Sequence, residues 1–355
     1  MNPNNEQRFS AEALKAYATK VFQNAGLGAE EAAWSAESLV QADLRGVASH
    51  GLMRLRTYAQ RTRCGVVRSG VTPRIVRESP SFLLVDGGNG MGTSVARQVM
   101  QLCIDRARQS GACFATVFNG NHFGIAASFT EMAAEAGMIG IAMSNAPASM
   151  VPTGGRKPLL GANPMSIAIP AGKHPPLVLD MATSTVAQGK IILAAKEGKT
   201  SIPSDWAVDP EGLPTTDPKQ ALQGAMLPFG GAKGYGLALI IDILVAVLSG
   251  AMTSTHINNF WKDFENPQKL GFFIGAWNIG SVIPLPEFNQ RMDALIQELK
   301  ACPPAPGHTE VFYPGEIEHR RAQESIRQGI ALGPAVVDDL NKLAEEYSAS
   351  FPQPI

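Results

Sequence analysis

The sequence predicts a mixed α/β fold in which a strand-rich middle is inserted into a helical unit built from both ends of the chain. Three observations carry this expectation. Residues 11–24, and the run after Glu30, repeat apolar residues at helical spacing. Between about residues 65 and 80 the texture changes to Gly, Pro and short β-branched pieces, and strand-like apolar runs follow. Past a stiff Pro303-Pro304-Ala305-Pro306-Gly307 linker, residues 317–328 and 334–347 return to a helical pattern. The expected division is a helical domain of residues 1–75 plus 290–355 and an α/β domain of residues 76–289.

Taken in order, Ser10 stands before an amphipathic stretch with Leu14, Ala18 and Val21 along one stripe, and Gly26 and Gly28 end it. Glu30 and Glu31 suit the positive end of a second helix, which carries Ala33, Leu39 and Val40 inward and stops near Gly46. Then comes Ser49-His50-Gly51-Leu52-Met53-Arg54-Leu55-Arg56-Thr57-Tyr58. As a helix it sets His50, Arg54 and Tyr58 four residues apart on one face. Arg54 can grip a carboxylate with two parallel hydrogen bonds, and Tyr58 adds a hydroxyl donor. His50 can exchange a proton near neutral pH. The plainer reading is a surface helix start capped by Ser49, with Arg54 and Arg56 solvated.

In the middle, residues 82–86 read as a buried strand, followed by Gly87-Gly88-Asn89-Gly90-Met91-Gly92. That spacing is not G-x-G-x-x-G, so it reads as a glycine-rich strand-to-helix turn and no Rossmann signature is found. A helix over 93–109 and a strand over 112–118 lead into the loop Asn119-Gly120-Asn121-His122-Phe123-Gly124, before a helix over 125–136. A histidine in such a loop can meet a ligand or simply satisfy loop carbonyls. Further strands are expected over 138–144, 165–169 and 176–179. The last of these ends in Asp180-Met181-Ala182, where Asp180 could orient a histidine or cap a helix starting near Thr185. Residues 202–218 read as an extended loop. Lys233 stands alone among glycines in Phe229-Gly230-Gly231-Ala232-Lys233-Gly234-Tyr235-Gly236, at the start of an apolar helix. Such a lysine suits a phosphate or carboxylate, but the P-loop spacing is absent and nucleotide hydrolysis is not implied. A strand over 271–279 and a helix over 286–300 complete the middle.

Composition narrows the function classes. The 355 residues are 45% hydrophobic and 17% charged, with a net charge of −1, so a large core is available and no electrostatic footprint for nucleic acid exists. The longest apolar stretch, 237–248, is too short for a membrane span and contains Asp242. The N-terminal residues lack a signal-peptide layout, and the four cysteines form no framework, so a soluble cytoplasmic protein is expected. No metal site is expected, because the six histidines show no HxxxH or HExxH spacing.

Six motifs then occur in one order: Ser49-His50-Gly51-x-x-Arg54-x-x-x-Tyr58, Asn121-His122-Phe123-Gly124, Gly161-Ala162-Asn163-Pro164, Leu179-Asp180-Met181-Ala182-Thr183, Lys233-Gly234-Tyr235-Gly236 and Tyr313-Pro314-Gly315-Glu316. The ordered set resembles the malate/L-lactate/ureidoglycolate dehydrogenase family, with its sulfolactate, diketogulonate and cyclic-imine reductase relatives, over about residues 10–345. The resemblance implies an NAD(P)-dependent oxidoreductase with a non-Rossmann nucleotide-binding domain, NAD being favoured. It also implies a homodimer with the active site near the subunit boundary. The implied reaction is hydride transfer between nicotinamide and C2 of a small 2-hydroxy or 2-oxo carboxylate; the alternative is reduction of a cyclic imino acid such as piperideine- or pyrroline-2-carboxylate.

By the same resemblance, Ser49, His50 and Asp180 match a proposed relay, with His50 as proton donor. His122 matches the acid/base of ureidoglycolate dehydrogenase-like members. The two assignments compete, and His50 is preferred because Ser49 and Asp180 would set its tautomer. Arg54 and Tyr58 match substrate-binding positions. Nucleotide contacts are implied for His122, Phe123, Gly124, Ile125, Ala126, Asp180, Met181, Ala182, Lys233, Gly315 and Glu316. Ala162 is a departure, since the family usually has Thr there.

Overall fold

In the computed structural model, which describes residues 6–355, strand β1 (Gln7–Phe9) leads into helices α1 (Ala11–Ala25) and α2 (Ala29–Leu44). α1 buries Leu14, Tyr17, Ala18, Val21 and Phe22, and it ends where Gly26 takes a left-handed φ of 114° and donates to the Gln23 and Phe22 carbonyls. After two short turns comes α3 (Leu55–Arg63), then β2 (Arg74–Glu78), β3 (Phe82–Asp86), α4 (Gly92–Ser110) and β4 (Ala112–Gly120). Next are α5 (Ala127–Glu135), β5 (Met138–Ser144), β6 (Met165–Ile169) and β7 (Leu177–Met181). A loop-rich lobe follows, with α6 (Gln188–Lys196), β8 (Ala207–Val208), α7 (Pro218–Gln223) and β9 (Ala225–Met226). The chain continues through α8 (Ala232–Asp242), whose π-helical extension is Ile243–Val247, to β10 (Leu270–Asn278) and α9 (Leu285–Ala301). It closes with α10 (Glu316–Gln328), β11 (Ile330–Leu332) and α11 (Pro334–Glu346).

The two ends of the chain share one apolar core. β1 pairs antiparallel with β11, and Phe9, Leu14, Phe22, Leu39 and Tyr58 pack with Leu340 and Leu343. Around the middle, seven strands form one mixed sheet in the order β2-β3-β4-β10-β5-β6-β7. Only β3 and β4 run parallel, joined by α4; the other pairings are antiparallel. One face packs Val95, Val99, Ile104 and Phe129 of α4 and α5 against Val85, Val117, Phe272 and Ile274. Against the other face lie Ile241, Val245 and Ala246, on Ile141, Met143 and Phe273. A sheet paired mostly antiparallel lacks the serial βαβ crossovers that build a Rossmann crevice, which accords with the failed fingerprint.

Two local expectations change. Asp180 lies inside β7, paired with Ser166, rather than beyond the strand, and the next helix begins at Gln188. The division at residues 289/290 falls within α9, whose Asp293 accepts from the Gly172 and Lys173 amides of the β6–β7 turn. Among the described residues no helix is long and apolar enough to cross a membrane.

Candidate active site

The decapeptide does not run as one helix. Single 3-10 turns at Ala48–His50 and Leu52–Arg54 are separated by Gly51, at φ −87° and ψ −152°, and α3 starts only at Leu55. The cause lies in α2. Asp43 turns back to accept the Leu52 amide at 2.8 Å, and a Cβ on Gly51 would stand 2.0 Å from the Asp43 carboxylate. Only glycine leaves room for that oxygen. Ser49 is therefore no helix cap; its Oγ lies 3.0 Å from His50 Nδ1, while its carbonyl accepts from Arg54 Nε at 2.6 Å.

His122 arrives from β4 through a loop held by the glycine-rich turn. Asn121 Nδ2 donates to the Gly90 carbonyl at 3.0 Å, and a Cβ on Gly92 would stand 2.2 Å from the Asn121 carbonyl. The glycines of that turn thus serve close backbone approach to the histidine loop. The His122 amide donates to Gln268 Oε1 at 2.9 Å. On the ring, Tyr58 Oη lies 2.5 Å from Nδ1, and the Gly124 amide donates to the same nitrogen at 3.3 Å. A backbone amide can only donate, so Nδ1 is an acceptor and the neutral ring carries its hydrogen on Nε2. The His50 and His122 rings stack with centroids 5.6 Å apart.

An aromatic loop closes one side of this cluster. The Phe260 ring lies 5.0 Å from that of His122, and the Arg54 guanidinium lies 5.6 Å from Phe260 and 4.9 Å from Trp261. Arg61, fully buried, holds the loop by donating to the carbonyls of Phe260, Asp263 and Asn266. Arg54 has no carboxylate partner among the described residues. Its free guanidinium edge is thus available to an anion.

His50, Arg54 and His122 are only partly exposed and closely surrounded by protein atoms. Desolvation there, with repulsion from Arg54 second, pushes His50 down to about 3. His122 is held well below its usual value by burial, then by Arg54, His50 and Arg61. Both rings are neutral at pH 7. Burial raises the Tyr58 phenol, which stays protonated and donates. The Asp43 carboxyl is pushed up to about 7 by burial, against the Leu52 amide that favours its anion.

Asp180 takes no part in this cluster. No hydrogen bond or ion pair joins it to His50 among the described residues; its Oδ2 accepts the Ala127 amide at 2.9 Å, at the start of α5. It caps a helix, though not the one after its strand. Although the residue is exposed at the surface, desolvation by the protein around its carboxyl raises it to about 6, opposed by the Ala127 amide and Arg45.

The remaining motif segments converge on β7. The Ala127 amide ties residues 122–126 to Asp180; Phe229 donates to the Thr183 carbonyl at 3.1 Å, bringing the Lys233 turn to Met181 and Ala182; Val178 donates to the Pro314 carbonyl at 2.9 Å, bringing Gly315. Phe123, Ile125 and Ala126 are buried, whereas Lys233 is exposed at the start of α8, behind Gly230 and Gly231 with φ of 57° and 64°. The buried Thr183 hydroxyl beside them has no partner among the described residues. Glu316 serves structure instead: it accepts from Lys300 at 2.8 Å and Arg320 at 2.6 Å, so its carboxylate is already spent. Asn163, likewise, is fully buried and joins Ala146 to the Ala238 carbonyl of α8.

Asp43, Arg61, Phe260, Trp261 and Gln268 were not singled out by the sequence. The adjacent Phe260-Trp261 pair, in a polar stretch, was the one available signal.

A family model described as malate/L-lactate dehydrogenase matches residues 9–341. The malate dehydrogenase of Pyrococcus abyssi is 37% identical over 348 residues, covering 96% of this chain and 95% of that one. L-sulfolactate dehydrogenase of Methanocaldococcus jannaschii is 37% identical over 351 residues, covering 99% and 98%. A solved structure of sulfolactate dehydrogenase from that organism has a TM-score of 0.91 at 36% identity, covering 98% of each chain. A solved Δ1-piperideine-2-carboxylate reductase from Pseudomonas syringae has a TM-score of 0.84 at 30% identity, covering 95% of this chain and 100% of that one. Similar in sequence and in fold along almost its whole length, the chain belongs to the malate/L-lactate dehydrogenase family of NAD(P)-dependent 2-hydroxyacid dehydrogenases.

Proposed function

We propose that the cluster of His50, Arg54, Tyr58 and His122 is where a small 2-oxo or 2-hydroxy carboxylate is held during hydride transfer at C2. The observation that carries this reading is the free guanidinium of Arg54, an unpaired cation beside two neutral imidazoles. Its Nη groups bind the substrate carboxylate and orient C2. His122, with its hydrogen on Nε2, donates to the substrate oxygen as a neutral imidazole. In the oxidative direction neutral His50 accepts the proton of the 2-hydroxyl and becomes imidazolium, with Ser49 Oγ on its Nδ1 orienting the ring. In reduction it must first take a proton from solvent, its charge favoured once the substrate carboxylate offsets Arg54, and then gives that proton to the oxygen. Asp180 is left out of the relay and takes a cofactor-side role at the start of α5.

For the nicotinamide dinucleotide, the residues around β7 fit. An unpartnered buried hydroxyl at Thr183, an exposed Lys233 at a helix start and two open left-handed glycines form a donor-rich strip suited to an extended anion. We assign Phe123 to Ala126, Asp180 to Ala182, Lys233 and the Gly315 backbone to that strip. The bound nicotinamide would give or take the hydride.

The domain reading is a helical unit of both termini around the insertion, with α9 going to the α/β side. A homodimer is supported by the apolar residues that α8 and its extension leave exposed, Ile240, Ile243, Val247 and Leu248. Sedimentation velocity of the wild type against Val247→Glu tests that surface; an unchanged dimer would remove it.

The catalytic reading is tested by following reduced-nicotinamide absorbance with 2-oxo acids, using NADH and NADPH in parallel. Turnover of a 2-oxo acid, lost in His50→Ala with nucleotide binding kept, is the expected result. A second reading, cyclic-imine reduction, uses the same carboxylate anchor; turnover of piperideine-2-carboxylate alone would select it.

A further inference from the structure

Arg54 does more than offer a charge: its surroundings define what can lie beside a bound carboxylate. The guanidinium lies to one side of an aromatic pair, 4.9 Å from the centroid of Trp261 and 5.6 Å from that of Phe260. Phe260 and Trp261 meet edge to face, with centroids 4.9 Å apart, and so form one continuous apolar wall. Phe260 is buried, but Trp261 keeps 48% of its surface exposed, an unusual state for so large an apolar ring unless something covers it. Any carboxylate on the free Nη edge of Arg54 has its neighbouring carbons next to this wall.

Among the described residues, Arg54 is the charged side chain that helps to lower His50, and Arg54 and Arg61 are the cations that help to lower His122. Arg61 turns its two Nη groups to three backbone carbonyls of the aromatic loop, and its buried Nε has no partner among the described residues. Arg56, next but one to Arg54, is committed to Asp339 and Glu346. One cation therefore serves the first carboxylate, and a second anionic group on the substrate would have to be desolvated against indole and phenyl rings.

From this geometry we infer that the enzyme selects 2-oxo (and 2-hydroxy) monocarboxylates with apolar side chains over those carrying a second anion, with the Phe260–Trp261 wall as the specificity-determining element. The inference rests on the catalytic reading above and sharpens it to a substrate class. Arg61 is the positioning residue for that wall, since its three carbonyl contacts set the path of residues 260–266.

The test is a comparison of kcat/KM for pyruvate, 2-oxobutanoate, 4-methyl-2-oxopentanoate and phenylpyruvate with oxaloacetate and sulfopyruvate, using NADH and NADPH. The expected result is at least a tenfold advantage for an apolar member. Trp261→Ala should shrink that advantage at least tenfold, chiefly through KM, and Trp261→Phe should restore most of it. Trp261 is half exposed, so neither change threatens the fold. A preference for oxaloacetate or sulfopyruvate would overturn the inference while leaving the catalytic reading in place. If Lys262→Ala then abolished that preference, the same loop would be shown to supply a second cation. Absence of turnover with every 2-oxo acid, nucleotide still binding, would overturn the catalytic reading and this inference with it.

Discussion

The phenol of Tyr58 meets Nδ1 of His122 at 2.5 Å across 64 residues of sequence. That contact joins the terminal helical unit to the loop after β4, and with the Gly124 amide it sets the histidine's tautomer. Tyr58→Phe keeps the ring in its buried place and removes one donor to His122. With the ring tautomer less firmly held, kcat/KM should fall roughly 10- to 100-fold, and the lost buried hydrogen bond should cost about 0.5–1.5 kcal/mol of stability. Steady-state kinetics with a melting curve checks both halves.

The two histidines should separate by chemistry. His122→Gln retains a side-chain N–H donor and should keep a measurable fraction of activity, whereas His50→Gln cannot exchange a proton and should lose about 100-fold or more. The reverse ranking, measured as kcat in both directions, would hand the proton to His122.

Arg54 helps to lower both histidines and is the proposed anchor for the substrate carboxylate. Arg54→Lys keeps the charge but loses the paired donors, so KM should rise about 10- to 100-fold, with kcat also reduced because C2 is no longer aligned. Arg54→Gln should raise the histidine pKa values, read by NMR titration of the imidazoles.

Stability should respond to pH in two opposite senses. His50 is lowered from 6.5 to about 3, so its contribution is intact above pH 6.5 and drains away as pH falls toward 3, where the unfolded chain takes up the proton first. Asp43 is raised from 3.8 to about 7, so its contribution is lost as pH rises through that interval. Asp43→Asn, which keeps an acceptor for the Leu52 amide, should match the wild type near pH 4 and melt higher at pH 8. An unchanged difference at the two pH values, by calorimetry, would refute the assignment.

Arg61→Met should free the carbonyls of residues 260, 263 and 266 and loosen the aromatic loop. A stability loss of about 2–4 kcal/mol and faster proteolytic cutting near Trp261 are expected.

Much of this protein is written in local pattern. The periodicity that buries Leu14, Ala18 and Val21 requires α1, and the apolar runs at residues 82–86 and 138–144 are the strands β3 and β5. The glycine turn after β3 was recognisable as something other than a dinucleotide fingerprint, because spacing is a property of the chain itself. Arg54, Tyr58 and the two histidines stand out as candidates in the sequence because their chemistry belongs to the side chain. The loop lobe with β8 and β9 was not, since two-residue strands carry no periodicity.

What only the tertiary structure decided is partnership. Helical spacing placed His50, Arg54 and Tyr58 on one face, but Asp43, reaching back from α2, breaks the helix at Gly51 and redirects all three. A relay logic paired Asp180 with His50, but sheet register places that carboxylate at the first amide of α5. Phe260 and Trp261 lie about 200 residues beyond Arg54 in sequence and come against it only because buried Arg61 holds their loop. Sequence by itself determined which groups are available, since acidity, charge and local conformational preference travel with each residue. Which of them meet depends on contacts between distant segments, and those follow from how the cores pack.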